Sequence, residues 1–320
     1  MRARQGGSEA SGKGFATRRG SKAATRWRRA ANEWGLTAPS FLWLAVLFFI
    51  PTILVVLISF RTADPFGGIG NTWALESFRS IARQNYGPIL LRTVLLSIYT
   101  TAICLVLGIP VAYYLARCKA SRQQNLLLLI IIPFWTSFLI RIYAWKVLLH
   151  PDGIIKQILM FLHLVDPDAI LLYNQTAVLL VLVYTYLPFA ILPLYSAAEK
   201  FDFTLMEAAL DLGSSRATAF AKIFIPGISA GIMSALLVVF IPALGSYIIP
   251  EIVGGPTGEM LGNKIAQRVF VDRNLPHASA LSTLLVLAVL VVPMFRLIWR
   301  RVRNSRPQTP DEAAFLGGQI

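Results

Sequence analysis

Glu207 and Asp211 lie four residues apart in a short polar stretch between long apolar runs. On a helix that spacing sets both carboxylates on one face, where they can meet basic side chains or backbone donors of another protein. Ala208 and Ala209 stand between them and are small enough for such a helix to enter a cleft closely. A second group is aromatic: Trp135, Tyr143, Trp145, Tyr184, Tyr186 and Tyr247, with Glu251 just beyond an apolar run. Aromatic faces attract an organic cation by about 0.5–2 kcal/mol each, and a carboxylate balances its charge. Each ring is equally suited to the membrane interface or to packing, and Glu251 to an ordinary loop.

Other chemistries find little support. His150, His163 and His277 are too scattered to place two on one helix face for a metal, and each reads as a loop or interface residue. Cys104 and Cys118 build neither a disulfide scaffold nor a zinc motif. Gly7 to Gly14 nearly matches a nucleotide-binding phosphate loop, but Gly14 replaces the hydroxyl that would hold magnesium, and no strand precedes it. The basic leader lacks interleaved aromatics apart from Phe15 and Trp27. It reads as a tail held near anionic headgroups, without nucleic-acid binding.

The elements that must position these residues follow from composition. Of 320 residues 56% are hydrophobic and 14% charged, against about a quarter charged in soluble domains. Six stretches lack Asp, Glu, Lys and Arg: Trp34 to Phe60, Thr93 to Ala116, Gln123 to Ile140, Ala169 to Ala198, Ile223 to Pro250 and Asn274 to Phe295. Each approaches the roughly 20 apolar residues that a helix needs to cross the hydrocarbon core. Period-2 alternation is absent, so a β-barrel does not fit. The expectation is an all-α polytopic membrane protein of six transmembrane helices, the first uncleaved.

Orientation comes from Lys and Arg. With the N-terminus inside, inner segments hold 20 of the 30 basic residues and outer segments 7, the others standing at span ends. The positive-inside rule then puts both termini in the cytoplasm. Residues 1–39 form a basic tail, 40–60 the first span, 61–88 an outer loop, 89–300 a five-helix domain and 301–320 a second tail. Within the five-helix domain, 199–226 is the long inner loop. Leu205 to Leu212 reads as a helix with Gly213 as its left-handed C-cap. Ser214 or Ser215 then caps a helix from Arg216 to Phe224, which Pro226-Gly227 interrupts.

Glu207-Ala208-Ala209, Gly213 and Ile225-Pro226 resemble the EAA coupling loop of type I ATP-binding-cassette importer permeases. Pro133 to Arg141, Tyr186-Leu187-Pro188-Phe189, Leu192 to Tyr195, Asp211-Leu212-Gly213 and Gly245 with Pro250 to Gly255 extend the resemblance to the spermidine/putrescine-type permeases over roughly residues 40–300. Ser214 departs from the Ala usual in relatives, a change that a capping position tolerates. The resemblance implies a type I permease (MetI-like) fold in the bacterial inner membrane. It implies a transporter subunit, not an enzyme, with no cofactor of its own; ATP and magnesium would be used by a separate ATPase dimer. A second, non-identical permease subunit and a periplasmic solute-binding protein would complete the importer. Glu207, Ala208, Ala209, Asp211, Gly213 and Pro226 would then serve docking to the ATPase.

Gly227, Gly231 and Ala235, four residues apart, allow close helix approach to a neighbouring span or a partner permease. Pro188, Pro193 and Pro242 are expected to kink or unwind their spans. Arg141 reads either as snorkelling to the outer interface or as an interhelical or gating contact. No Asp or Glu lies within a span, so recognition of a cation is expected to rest largely on the binding protein. The same lack weighs against an ion-coupled secondary transporter, which would carry intramembrane carboxylates. Other small nitrogenous solutes, and iron, remain alternatives to a polyamine.

Overall fold

The computed structural model describes residues 37–64 and 67–304, and side chains as far as residue 290. The phosphate-loop lookalike, most of the basic leader and most of the second tail lie outside the described residues. Residues up to Leu57 form one unit and those from Ile58 onward a second.

In the first unit the chain is helical from Thr37; this helix, α1, Thr37–Ser59, is 23 residues long and apolar enough to cross a membrane. In the second unit a two-stranded antiparallel ribbon, β1 (Arg61–Ala63) with β2 (Ile69–Trp73), adds a small β element to the expected all-helical chain. The ribbon is held by a Thr62–Thr72 hydroxyl pair at 2.8 Å and by the Arg61 guanidinium 4.3 Å above the Trp73 ring. Gly67 and Gly68, both at positive φ, make its turn.

Helices α2 (Glu76–Arg83), α3 (Gly87–Arg117), α4 (Ala120–Ile131), α5 (Phe138–Leu148), α6 (Ile154–Phe161) and α7 (Gln175–Glu199) follow. Asn174 caps α7 by accepting the Ala177 amide at 2.8 Å. Beyond α7 come α8 (Thr204–Asp211), α9 (Arg216–Ala219), α10 (Ile225–Gly227), α11 (Ser229–Leu244), α12 (Ile248–Val253), α13 (Gly255–Gly258), α14 (Leu261–Phe270) and α15 (Leu275–Asn304). The packed centre of this unit is α3, α7 and α11.

Two of the six expected spans are broken. The third bends by 89° between Ala120–Trp135 and Phe138–Leu148, and the fifth by 70° between Arg216–Gly227 and Ser229–Leu244. The prolines expected to kink the fourth and fifth spans do not divide them: Pro188 and Pro193 lie inside the continuous α7, and Pro242 inside α11. A proline removes one backbone hydrogen bond, which a helix packed among others tolerates. The fifth span breaks instead around Pro226. Phe220–Phe224 widens into a π-helical turn, with Ile225 N–H donating to the Phe220 carbonyl, and the axis turns at Ile228.

Close helix approach is built from glycine. A Cβ on Gly231 would overlap the Ala197 methyl and come within 2.9 Å of the Pro193 carbonyl oxygen; one on Gly227 would overlap the Phe201 ring. The small-residue stripe therefore faces α7, the neighbouring span of the same chain.

A polar network ties α2, α3, α14 and α15. Arg268 donates to the Tyr86 hydroxyl oxygen through Nε (3.2 Å) and Nη2 (3.1 Å), and to Asp272 through Nη1 (2.7 Å). His277 meets Ser80 Oγ through Nδ1 at 2.9 Å and the Tyr86 hydroxyl through Nε2 at 3.0 Å. His277 is thus a buried interhelical residue, 3% exposed.

Overpacking at a site with no room to relax costs about 1–3 kcal/mol. Gly231→Val is expected to lower the melting temperature and yield of the detergent-purified protein. Gly245→Ala, whose added methyl meets nothing nearer than the Pro242 carbonyl oxygen at 3.9 Å, is expected to leave both unchanged.

Candidate functional site

The segment between α7 and α11 is assembled from local rules. Asp202 Oδ1 accepts the Thr204 amide (3.0 Å) and hydroxyl (2.8 Å), which starts α8. Those bonds, the hydroxyl's first, hold the Asp202 carboxyl below the usual carboxylate range. At the far end Gly213 N–H donates to the Leu210 carbonyl (2.9 Å) and Ser214 N–H to that of Ala209 (3.0 Å). With Gly213 at φ +86, this is the two-bond Schellman arrangement. Ser215, not Ser214, caps the next helix, accepting the Thr218 amide at 3.2 Å.

The helix so delimited has two faces. Glu207, Ala208 and Asp211 are exposed, while Met206 and Ala209 are buried. Ala209 is therefore a packing residue of this chain, and the surface left for a partner is Leu205, Glu207, Ala208, Asp211 and Leu212, the last 88% exposed. Gly213 shapes the turn, and Pro226, itself exposed, lies at the break into α11.

Beneath α8 lies an aromatic clasp that the sequence reading passed over. Phe224 is fully buried. Its ring centroid lies 4.9 Å from Tyr113, 5.3 Å from Phe201, 6.1 Å from Phe203 and 5.3 Å from Phe220. Arg117 closes the group, donating to the Tyr113 hydroxyl at 2.7 Å and lying 5.7 Å from the Phe203 ring. The clasp joins α3, the α7–α8 junction and the π-helical turn in one packed cluster with Met206 and Ala209. Four phenylalanines crowded around one polar loop were the available signal.

The aromatic candidates divide into separate places. Trp145 and Tyr184 meet edge to face at 5.2 Å. Tyr186 donates to the Pro242 carbonyl at 3.2 Å. Trp135 is 77% exposed at the break between α4 and α5, and Tyr143 is exposed on α5. Among the described residues no ring contact or hydrogen bond joins these two to the other candidates. Tyr247 and Glu251 stand together around α12, where Asn263, unremarked in the sequence, donates to the Tyr247 carbonyl (3.2 Å) and to Glu251 Oε2 (2.6 Å). Arg141 does not reach freely to solvent: its guanidinium lies 4.3 Å from the Phe134 ring, with Nε and Nη1 buried and without a hydrogen-bond partner.

Comparison with known proteins bears on this arrangement. Residues 105–304 match the family model described as "Binding-protein-dependent transport system inner membrane component". The chain is 34% identical to spermidine/putrescine transport system permease protein PotB of Escherichia coli (strain K12), covering 82% of this chain and 94% of that protein. PotB of Haemophilus influenzae is 35% identical, with coverages of 79% and 88%. The fold resembles that of a bacterial ABC transporter involved in the import of the acidic polysaccharide alginate (TM-score 0.62, 17% identity, 87% of this chain and 99% of that one). A structure of the bacterial alginate transporter in complex with a pentasaccharide-bound periplasmic protein gives 0.63, at 15% identity and coverages of 84% and 94%. The chain belongs to the family of binding-protein-dependent transport system inner membrane components.

Proposed function

We propose that this chain forms half of the translocation pathway of an ATP-driven importer for a small organic cation of the polyamine class, spermidine or putrescine. The names of its relatives support that substrate class, and the exposed aromatics with Glu251 are chemically suited to it. A second permease subunit completes the pathway, a periplasmic binding protein delivers the solute, and an ATPase dimer docks on the α8 side, where ATP and magnesium act. The charge bias of the sequence supports cytoplasmic termini.

One observation carries the coupling role: a helix with an outward surface of two carboxylates, a small residue and exposed leucines is fastened by its inner face to α3, α7 and the start of α11. Glu207 and Asp211 meet donors in the ATPase cleft, and Ala208 lets the backbone approach closely. Nucleotide-driven closure of the ATPase draws two such helices together. The clasp passes that displacement to α7 and α11, and the pathway opens towards the binding protein. Hydrolysis resets it.

Glu207 is exposed, so Glu207→Lys is expected to leave folding intact. The same change should cut solute-stimulated ATPase activity and uptake at least about tenfold in the reconstituted importer; undiminished coupling would overturn the assignment. Phe224→Ala empties a fully buried aromatic site, costing about 3–5 kcal/mol where it cannot collapse. The milder Phe224→Leu is expected to retain ATPase binding while lowering uptake per ATP hydrolysed, measured by parallel transport and phosphate-release assays.

A further inference from the structure

We infer that Tyr247 and Glu251 form a subsite for a protonated primary amine, and that Asn263 is the positioning residue that fixes its carboxylate. This rests on the proposed import of an organic cation and goes beyond it by locating where one ammonium end is met.

Asn263 is 6% exposed, and its orientation is set by its neighbours. The Met260 amide donates to Oδ1 at 3.1 Å, which makes Nδ2 the donor end of the side chain. Its two hydrogens are both used, one on the Tyr247 carbonyl and one on Glu251 Oε2. A buried amide with every hydrogen committed holds its partners in one geometry. The approach is made possible at Gly262, where a Cβ would lie 2.6 Å from the Ser246 carbonyl oxygen and 2.9 Å from Tyr247 Cβ. The start of α14 is thereby pressed onto the residues that precede α12.

Glu251 itself is exposed, and among the described residues no Lys, Arg or His forms an ion pair with it. The nearby Lys264 is taken by Glu259 at 2.9 Å. Glu251 N–H donates to the Tyr247 carbonyl, which sets Tyr247 at the N-cap of α12 one turn before Glu251. A carboxylate oriented by a buried donor that also holds the backbone of an exposed tyrosine, with no ion-pair partner among the described residues, suits an alkylammonium group. The carboxylate accepts its N–H donors while the ring face meets its charge. Holding Glu251 in place before the solute arrives removes the entropic cost of ordering it then.

The test is a double-mutant cycle in the complete reconstituted importer, with spermidine delivered by its binding protein. Glu251→Gln preserves shape and can still accept from Asn263, so it removes only the charge. Uptake is expected to fall about tenfold, with solute-stimulated ATPase activity kept within about twofold. Asn263→Ala is expected to lower uptake severalfold in the wild-type background and to add little to Glu251→Gln, because it acts through that carboxylate. Equal losses from Asn263→Ala in both backgrounds would reduce Asn263 to a structural residue and overturn its positioning role. Unchanged uptake in Glu251→Gln, or uptake and ATPase activity falling together, would overturn the subsite even if the Asn263 variant failed to assemble. A wild-type importer that moves neither spermidine nor putrescine would remove the functional reading and the subsite with it.

Discussion

The orientation of α8 depends on one packed cluster of rings. Phe224 has no exposed surface, and Tyr113, Phe201, Phe203 and Phe220 enclose it from three parts of the chain. Ring pairs at these separations add to the burial of their area and restrict relative rotation. A close-packed group of this kind deforms little under load, so α8 and the adjoining ends of α3, α7 and α11 behave as one body. Gly227 belongs to the same device, since only a residue without a side chain leaves room for Phe201.

The breaks in the helices complete the lever. At Pro226 the chain lacks an N–H, and the π-helical turn before it reroutes the backbone hydrogen bonds so that the axis can turn by 70°. The loop segment and α11 can then point in different directions while sharing the clasp. At the other break, the 89° bend between α4 and α5 leaves Trp135 largely exposed and tucks Arg141 against Phe134. The short helix α5 packs on α12, and α12 on α7, which sets Tyr247 and Glu251 beside the packed centre.

What was legible in the sequence was what is local. Charge-free stretches located α1, α3 and α7 to within several residues, because the cost of a charge in hydrocarbon limits what a span can hold, whereas α15 runs on past its stretch through Arg296 to Asn304. The helix, left-handed glycine and serine cap of 204–219 follow from capping chemistry within a few residues, and they form where that chemistry puts them. The clasp was only partly legible: four phenylalanines around the polar loop signal a cluster, but Tyr113 is far away in the chain and nothing in its neighbourhood announces that it joins them. The same holds for Asn263, whose value lies in Glu251 and Tyr247 on another helix. The prolines divide according to their surroundings: Pro226 stands at a break as its position in the loop suggested, whereas α7 stays unbroken through Pro188 and Pro193, and α11 through Pro242. Among the outward carboxylates the helical period was enough to place Glu207 and Asp211 together, but not to reveal that Ala209 turns inward.

The central claim is that α8 and α11 move as one body when the proposed ATPase closes. Spin labels at Leu210 and Ser234, both exposed and neither assigned to the docking surface, in a chain whose Cys104 and Cys118 are replaced by serine, report it directly by pulsed electron paramagnetic resonance in the assembled importer. A narrow distance distribution that is unchanged between the nucleotide-free and ATP-bound states is the predicted result. A distribution that shifts or broadens on ATP binding would mean that the loop bends independently of the span, and would contradict the account.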